Sequence, residues 1–573
     1  MTAELIRWRG GPGAGKSTTL IEYVRSEVDA GTKIGDIVVM TFSRSQAADL
    51  ASRLHDAVFP DAPAKEVLRL CATIHGMALR ACMTAGLIED PRQQVIQPGD
   101  RRKAPIYQAF MNERGLEYDP LLGTDEDEDR SRADLPTGNA LITLNAYLQA
   151  TLCGPEEWRK AVADLGLGVS NLVGSVEDLL RAWAAYKAER GLFEHEDYVR
   201  LALDHELPPP APALFVDEYQ DVSPAQNALI EQWINHPDTR RVYVAGDEDQ
   251  SIYGFRGCDP SLFLSLAAED RGARPDGSRP TSHRCPARIM ETAETILGHP
   301  ANVSPCSRKG QVHHVRPGNA ETLARQVEVA VKYARTKEER QPVFVLSRFR
   351  KGAGSLARAL SAAGVPCGDI KPGRVRFWTS ARIGRSRDSL EPTTISPWTL
   401  KTAIARYLAG CDIDPIPANE AEALALAALV GKKRSAALTD LRIKANQGPV
   451  RLGDVYAWTD GRQGDRIFDR LNMRPWLVRQ IRACLAREAR RGYEITPEMV
   501  KVDTIHAAKG LEAAVVLLHT GYLKGRLDDL RMPDRRAEER RVYFVSATRA
   551  SHALLLLDYG EGPVCPILEG VGA

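Results

Sequence analysis

Short apolar runs alternate along the chain with longer stretches whose apolar positions recur every three or four residues. The runs fall at 5–8, 37–40, 213–216 and 241–245, and again at 343–347, 514–519 and 553–557. An apolar run without polar alternation predicts a strand buried on both faces, as in parallel sheets covered by helices. Strand and helix signals taking turns predict α/β architecture towards both ends of the chain. Two long stretches, 77–205 and 375–495, break this rhythm. They are helical and charge-rich, and read as insertions into the α/β frame.

The first strand signal runs into "GGPGAGKST", and a helix signal follows over 18–28. Gly10, four residues, Gly15, Lys16 and Ser17 between a strand and a helix is the spacing of a phosphate-binding loop. The segment Gly10, Gly11, Pro12, Gly13, Ala14, Gly15 can curl its backbone N–H groups around phosphate oxygens. The helix that opens near Thr18 adds the positive end of its dipole, Lys16 reaches the β and γ phosphates, and Ser17 can ligate magnesium. In "LFVDEYQDVS" a buried strand ends in two acids, so both reach the sheet edge where ligands bind. Beside a phosphate-binding loop, Asp217 can hold the metal with Ser17 and Glu218 can take a proton from the attacking water. "VYVAGDEDQSIYGFRG" is a further strand running into a polar turn. It combines Gln250, an amide able to contact a γ-phosphate, with Tyr253, Phe255 and Arg256, groups able to stack on bases. Arg284 of "SHRCP" and Arg549 of "RRVYFVSATRA" are permanently charged forks suited to stabilising a transferring phosphoryl group.

Length changes the picture only in scale: 573 residues predict roughly three to four domains. The 76 Lys and Arg balance 75 Asp and Glu, so a nucleic-acid surface has to be a local patch. The ten cysteines form no C-x-x-C pair and no metal-spaced cluster, which predicts reduced, mostly buried thiols. Neither a charged leader with an apolar core nor an apolar run of about 18 residues occurs, so the expectation is a cytoplasmic protein without a membrane partner. The acidic run "DEDED" at 125–129 reads as a solvated loop or, less simply, a partner site. The stretch 371–387 carries six basic side chains, no acid, and Phe377 beside Trp378. It fits either a nucleic-acid surface or a solvated face with its aromatics turned into a core.

Taken in order, "GPGAGKST", "TFSRSQAADL", "TIHGMA", "VDEYQD", "AGDEDQSIYGFRG", "SHRCP", "VDTIHAAKGLE" and "EERRVYFVSATRA" resemble the motif set of UvrD/Rep/PcrA-type superfamily 1 DNA helicases over nearly the whole chain. The resemblance implies two RecA-like P-loop domains, parallel sheets flanked by helices, with ATP in the cleft between them and two mainly helical inserted domains. Domain 1A would comprise 1–76 and 206–274, domain 1B 77–205, domain 2A 275–374 and 496–573, and a reduced domain 2B 375–495. It implies ATP and Mg2+ as cofactors, γ-phosphate contacts from Gln250, Arg284 and Arg549, and a ribose contact from Glu512 beside Gly510. It also implies a single-stranded DNA track over Phe42, Thr73, His75, Tyr253, Phe255, Arg256 and His506. Taken alone, His75 and His506 read more simply as structural histidines.

The activity implied is ATP-driven movement 3′ to 5′ on single-stranded DNA, with unwinding at single-strand/duplex junctions. The other reading is an ATP-driven DNA-binding switch that serves a nuclease, repair or replication protein. The departures are specific. The family carries a longer segment before its P-loop strand, with a glutamine that reads adenine; here nine residues precede Gly10 and none is Gln. His283 stands where the adenine-stacking tyrosine is usual, and Phe255 where a tryptophan is. The second insertion is shorter than the family's, no long tail follows 557, and no nuclease motif is present.

Overall fold

The computed structural model describes residues 3–120, 122, 135–167, 175–270, 280–337, 341–371, 378, 396–461 and 463–571. The acidic run 125–129 and, apart from Lys371 and Trp378, the basic stretch 371–387 lie outside the described residues. The chain divides into two compact units, Met1–Gly310 with Leu523–Thr548, and Gln311–Tyr522 with Arg549–Ala573.

The first unit is built on β1 (Glu4–Arg9), β2 (Ile37–Thr41), β3 (Cys71–Thr73), β4 (Ala213–Val216), β5 (Arg241–Gly246) and β6 (Glu269–Asp270), ordered β3-β2-β4-β5-β1-β6. Every pairing is parallel. The pleat sorts the apolar runs onto two faces. Ile37, Val39 and Phe215 pack with Leu20 and Val24 of the helix Lys16–Asp29, while Val38, Met40, Leu214 and Val216 pack with Leu229 and Trp233 on the other side. Helices therefore cover both faces, which is why these strands carry no polar alternation. A two-stranded parallel pair, β7 (Thr281–Pro286) with β8 (Ser304–Cys306), also belongs to this unit. The helix Pro533–Ala547 joins it against the helix Ala287–Leu297, with Arg540 donating to the carbonyl of Ile296 at 2.8 Å. By packing, residues 280–310 and 523–548 group with the P-loop unit.

The first insertion has a core of its own, centred on Tyr107, Phe110, Leu141, Leu144 and Trp183. A buried carboxylate, Glu194, sits within it. It accepts from Tyr107 on one oxygen and from Asn145, Trp183 and Lys187 on the other, and Lys187 also bridges to Asp197. A buried charge so fully partnered avoids the desolvation cost of an orphaned one.

The second unit carries β9 (Gln311–Val315), β10 (Val343–Ser347), β11 (Val500–Thr504), β12 (Ala513–His519) and β13 (Ala550–Leu557), all parallel, ordered β11-β10-β12-β13-β9. The helices that interrupt it between Pro397 and Arg491 share a single core with the sheet: Leu400, Tyr407, Leu424 and Ile481 cluster with Val345, Val502 and Leu517. Trp378 is fully buried in that core and donates its indole N–H to Ser361 Oγ at 3.1 Å. Of the two readings of 371–387, the core one holds for this ring. None of the ten cysteines is in a disulfide, and burial pushes the thiols of Cys71, Cys367 and Cys484 up to about 12. Among the described residues no helix is long and apolar enough to cross a membrane.

Candidate functional site

The glycine-rich loop connects β1 to the helix Lys16–Asp29 at the C-terminal edge of the first sheet. Gly13 and Gly15 stand at φ 73° and 83°, left-handed values that glycine adopts without strain. Gly13 is constrained twice, because a Cβ there would lie 2.6 Å from Ser282 Oγ and 2.8 Å from Arg284 Cβ. No side chain caps the helix at Gly15 and its first turn holds no acid, so the N–H groups and dipole present an uncompensated positive end to an anion. Lys16 Nζ donates to the loop's own carbonyls, Gly10 O at 2.8 Å and Gly11 O at 3.4 Å.

Two strands across, β4 is held in register by β2, and the Asp217 N–H donates to Met40 O at 2.8 Å. This delivers Asp217 to the same sheet edge, where Ser17 Oγ donates to its Oδ2 at 2.7 Å. Asp217 is buried, and burial together with the adjacent Glu218 carboxylate pushes its pKa up to about 6. The serine hydroxyl and aspartate carboxylate are hard oxygen donors in contact, a set that fits Mg2+, which takes one or two protein ligands and keeps most of its waters. Glu218 takes φ 57°, ψ 41°, a left-handed conformation that costs a side-chain-bearing residue about 1–3 kcal/mol and is typical of functional positions.

Gln250 is buried and donates to Asp247 Oδ2 at 2.6 Å. Arg284 is brought to the loop by β7: Ser282 Oγ donates to Pro12 O at 2.8 Å and the His283 N–H to Gly13 O at 2.9 Å. His283 itself is exposed. Thr18 accepts from Arg53 at the surface.

The rings expected on the strand-binding side assemble in part. Phe42, just past β2, stacks on Tyr253 with centroids 4.4 Å apart and planes 18° from parallel, and Phe255 meets Tyr253 edge-on at 6.0 Å. The Arg256 guanidinium lies 5.2–5.8 Å from all three rings. Thr73 leaves the neighbouring strand β3 and caps the helix Ile74–Thr84, accepting from the Gly76 N–H at 3.0 Å. His75 is engaged by protein groups: Nε2 lies 2.8 Å from Glu196, and Gln226 approaches Nδ1 at 3.2 Å.

The remaining predicted residues lie in the second unit. Gly510 is at φ 84°, Glu512 accepts from Gln341 at 2.7 Å, and His506 is buried in the short turn after β11. Arg549 is 1% exposed and donates to Leu511 O at 3.3 Å.

Three functional-site residues were not singled out from sequence. Gln220 contacts both Glu218 and Asp247. Asn302 takes the Gly11 N–H on its backbone oxygen at 3.1 Å, and its side chain donates to Asp247, Glu248 and Asp249 at 3.0–3.3 Å. Glu196 holds His75. Only Gln220 lay within a quoted motif.

A phosphate-binding loop whose serine meets an acid at the end of a parallel strand defines the class: a P-loop NTPase fold. Comparison with known proteins narrows it. The family model for the UvrD/REP helicase N-terminal domain matches residues 8–130 and 171–270, and that for the UvrD-like helicase C-terminal domain matches 470–559. The chain belongs to the UvrD/REP family of ATP-dependent DNA helicases. It is 25% identical to the ATP-dependent DNA helicase UvrD2 of Mycobacterium tuberculosis and of Mycobacterium bovis, over 95% of this chain and 75% of theirs. It is 27% identical to an ATP-dependent helicase/nuclease subunit of Desulforudis audaxviator, over 40% of this chain and 19% of that one.

Proposed function

We propose that the protein is a motor that hydrolyses ATP with Mg2+, moves 3′ to 5′ on single-stranded DNA and opens duplex at a junction. The observation that carries this reading is the placement, in one unit, of the Ser17–Asp217 pair and the Phe42, Tyr253, Phe255 and Arg256 cluster. The segment Asp247–Arg256 joins the two chemistries within ten residues of chain. In this reading Gly10–Thr18 hold the phosphates, and Ser17 and Asp217 hold Mg2+, which neutralises charge on the phosphate oxygens when bound. Glu218 accepts the proton of the attacking water, and Gln250 and Arg284 contact the γ-phosphate. Arg549 acts as the finger and Glu512, beside Gly510, as the ribose acid. Phe42, Thr73, His75, Tyr253, Phe255, Arg256 and His506 face the strand. Ring faces stack on any base, which suits a strand that slides.

The test is strand displacement on duplexes with a 3′ or a 5′ single-stranded tail, run beside ATP hydrolysis with and without single-stranded DNA. Unwinding of the 3′-tailed substrate alone is expected. A second reading, a DNA-stimulated switch serving a nuclease, draws on the helicase/nuclease relative and on a second insertion that packs into the sheet's own core. It predicts DNA-stimulated hydrolysis with little displacement on either substrate.

A further inference from the structure

Gln220 is fully buried two residues past Glu218, and both ends of its amide are engaged. Its Oε1 accepts the Asp247 backbone N–H at 2.9 Å, and its Nε2 donates to Glu218 Oε2. Donor and acceptor chemistry fixes this orientation, since a backbone N–H requires the oxygen and a carboxylate requires the nitrogen. Asp247 in turn accepts Gln250 on Oδ2 at 2.6 Å and Asn302 on Oδ1 at 3.3 Å. A continuous line of hydrogen bonds therefore runs Glu218, Gln220, Asp247, Gln250. The backbone makes room for it: a Cβ on Gly246 would stand 2.9 Å from Gln220 Oε1 and 3.0 Å from the Phe263 ring.

We propose that Gln220 is a positioning residue that ties the Glu218 carboxylate to the turn bearing Gln250, so that the water-activating acid and the γ-phosphate-contacting amide are set together. The proposal rests on the roles given above to Glu218 and Gln250. The turn runs on into Tyr253, Phe255 and Arg256, so the same amide links the acid's placement to the grip on DNA.

Two variants test it in the full chain. Gln220→Met keeps volume and loses both hydrogen bonds; Gln220→Glu keeps an acceptor for the Asp247 N–H and sets a carboxylate against Glu218. DNA-stimulated kcat is expected to fall by about tenfold to a hundredfold in Gln220→Met and further in Gln220→Glu, with KM for ATP within about threefold of the parent. The ratio of single-stranded DNA affinities with and without a non-hydrolysable ATP analogue should collapse towards one in Gln220→Met. A purely structural amide would lower the melting temperature and leave kcat and that ratio unchanged in the folded protein, and this result overturns the proposal. Should Gln220→Met not fold, unchanged kcat in Gln220→Glu overturns it equally. Glu218→Gln separates the two levels: normal hydrolysis there removes the functional reading, whereas a dead Glu218→Gln beside fully active Gln220 variants removes only this inference.

Discussion

The first sheet presents two chemistries along one edge, built on opposite terms. At the nucleotide end the groups are fixed by direction: left-handed glycines, a strained Glu218, a serine aimed at a buried aspartate, the Gln220 amide with both ends engaged. At the ring end the contacts are faces and edges, with one guanidinium serving three rings at similar distances. Directed hydrogen bonds discriminate strongly and tolerate little, whereas stacking is adaptable and worth about 1–3 kcal/mol per base. The contrast matches a motor that treats phosphate chemistry strictly and base identity loosely.

The sharpest way to break the comparison is Glu218→Gln. It should lower kcat by about 10³-fold while ATP binding persists, because the amide keeps the shape and loses the proton acceptor; single-turnover hydrolysis checks it. Next comes Asp217, whose pKa is raised in the folded protein, so the folded state holds the extra proton between roughly pH 4 and 6 and stability falls as pH rises through that window. Above it the ionised buried carboxylate is a burden on the order of 3 kcal/mol. Asp217→Asn should therefore be more stable than the parent at pH 7.5 and equal near pH 4, and Mg2+ should stabilise only the parent, read by denaturation midpoints.

On the ring side, Phe255→Ala should weaken single-strand binding by about 1–3 kcal/mol and reduce DNA stimulation with it. A fall in melting temperature with unchanged DNA affinity would instead make Phe255 a packing residue. The smallest effect sharpens the comparison at its boundary. His283, standing where the family's adenine-stacking tyrosine is usual, is exposed, so in the proposed reading the base is held by shape and stacking. GTP should then support hydrolysis within about tenfold of ATP, or about 1.4 kcal/mol, in kcat/KM on saturating single-stranded DNA.

Legibility followed the same division. Residues 213–216 are read to the residue because four apolar side chains buried on both faces leave no alternative period. The pairing of Ser17 with Asp217 is legible because the chemistry dictates type and spacing, and the two do meet. Gln220 and Asn302 were missed since a neutral amide leaves no charge pattern and its partners are chosen by the fold; Asn302 reaches acids more than fifty residues upstream. β6 and β8 are too short for a period to declare itself, and the six residues of β7, Thr281–Pro286, hold no apolar run. The contact of His75 with Glu196 spans 121 residues of chain, a distance no sequence spacing announces.

The strand order has a consequence for synthesis on the ribosome. β1 is made well before its neighbours, β5 at Arg241–Gly246 and β6 at Glu269–Asp270. At roughly 5–20 residues per second, it waits about 10 to 50 seconds for them. The helix Pro533–Ala547, which packs in the same unit, emerges only after four of the five strands of the second sheet. The nascent P-loop unit therefore stays incomplete until Leu523–Thr548 has been made. A ribosome that stalls before Leu523 releases a chain lacking part of its first unit as well as part of its second.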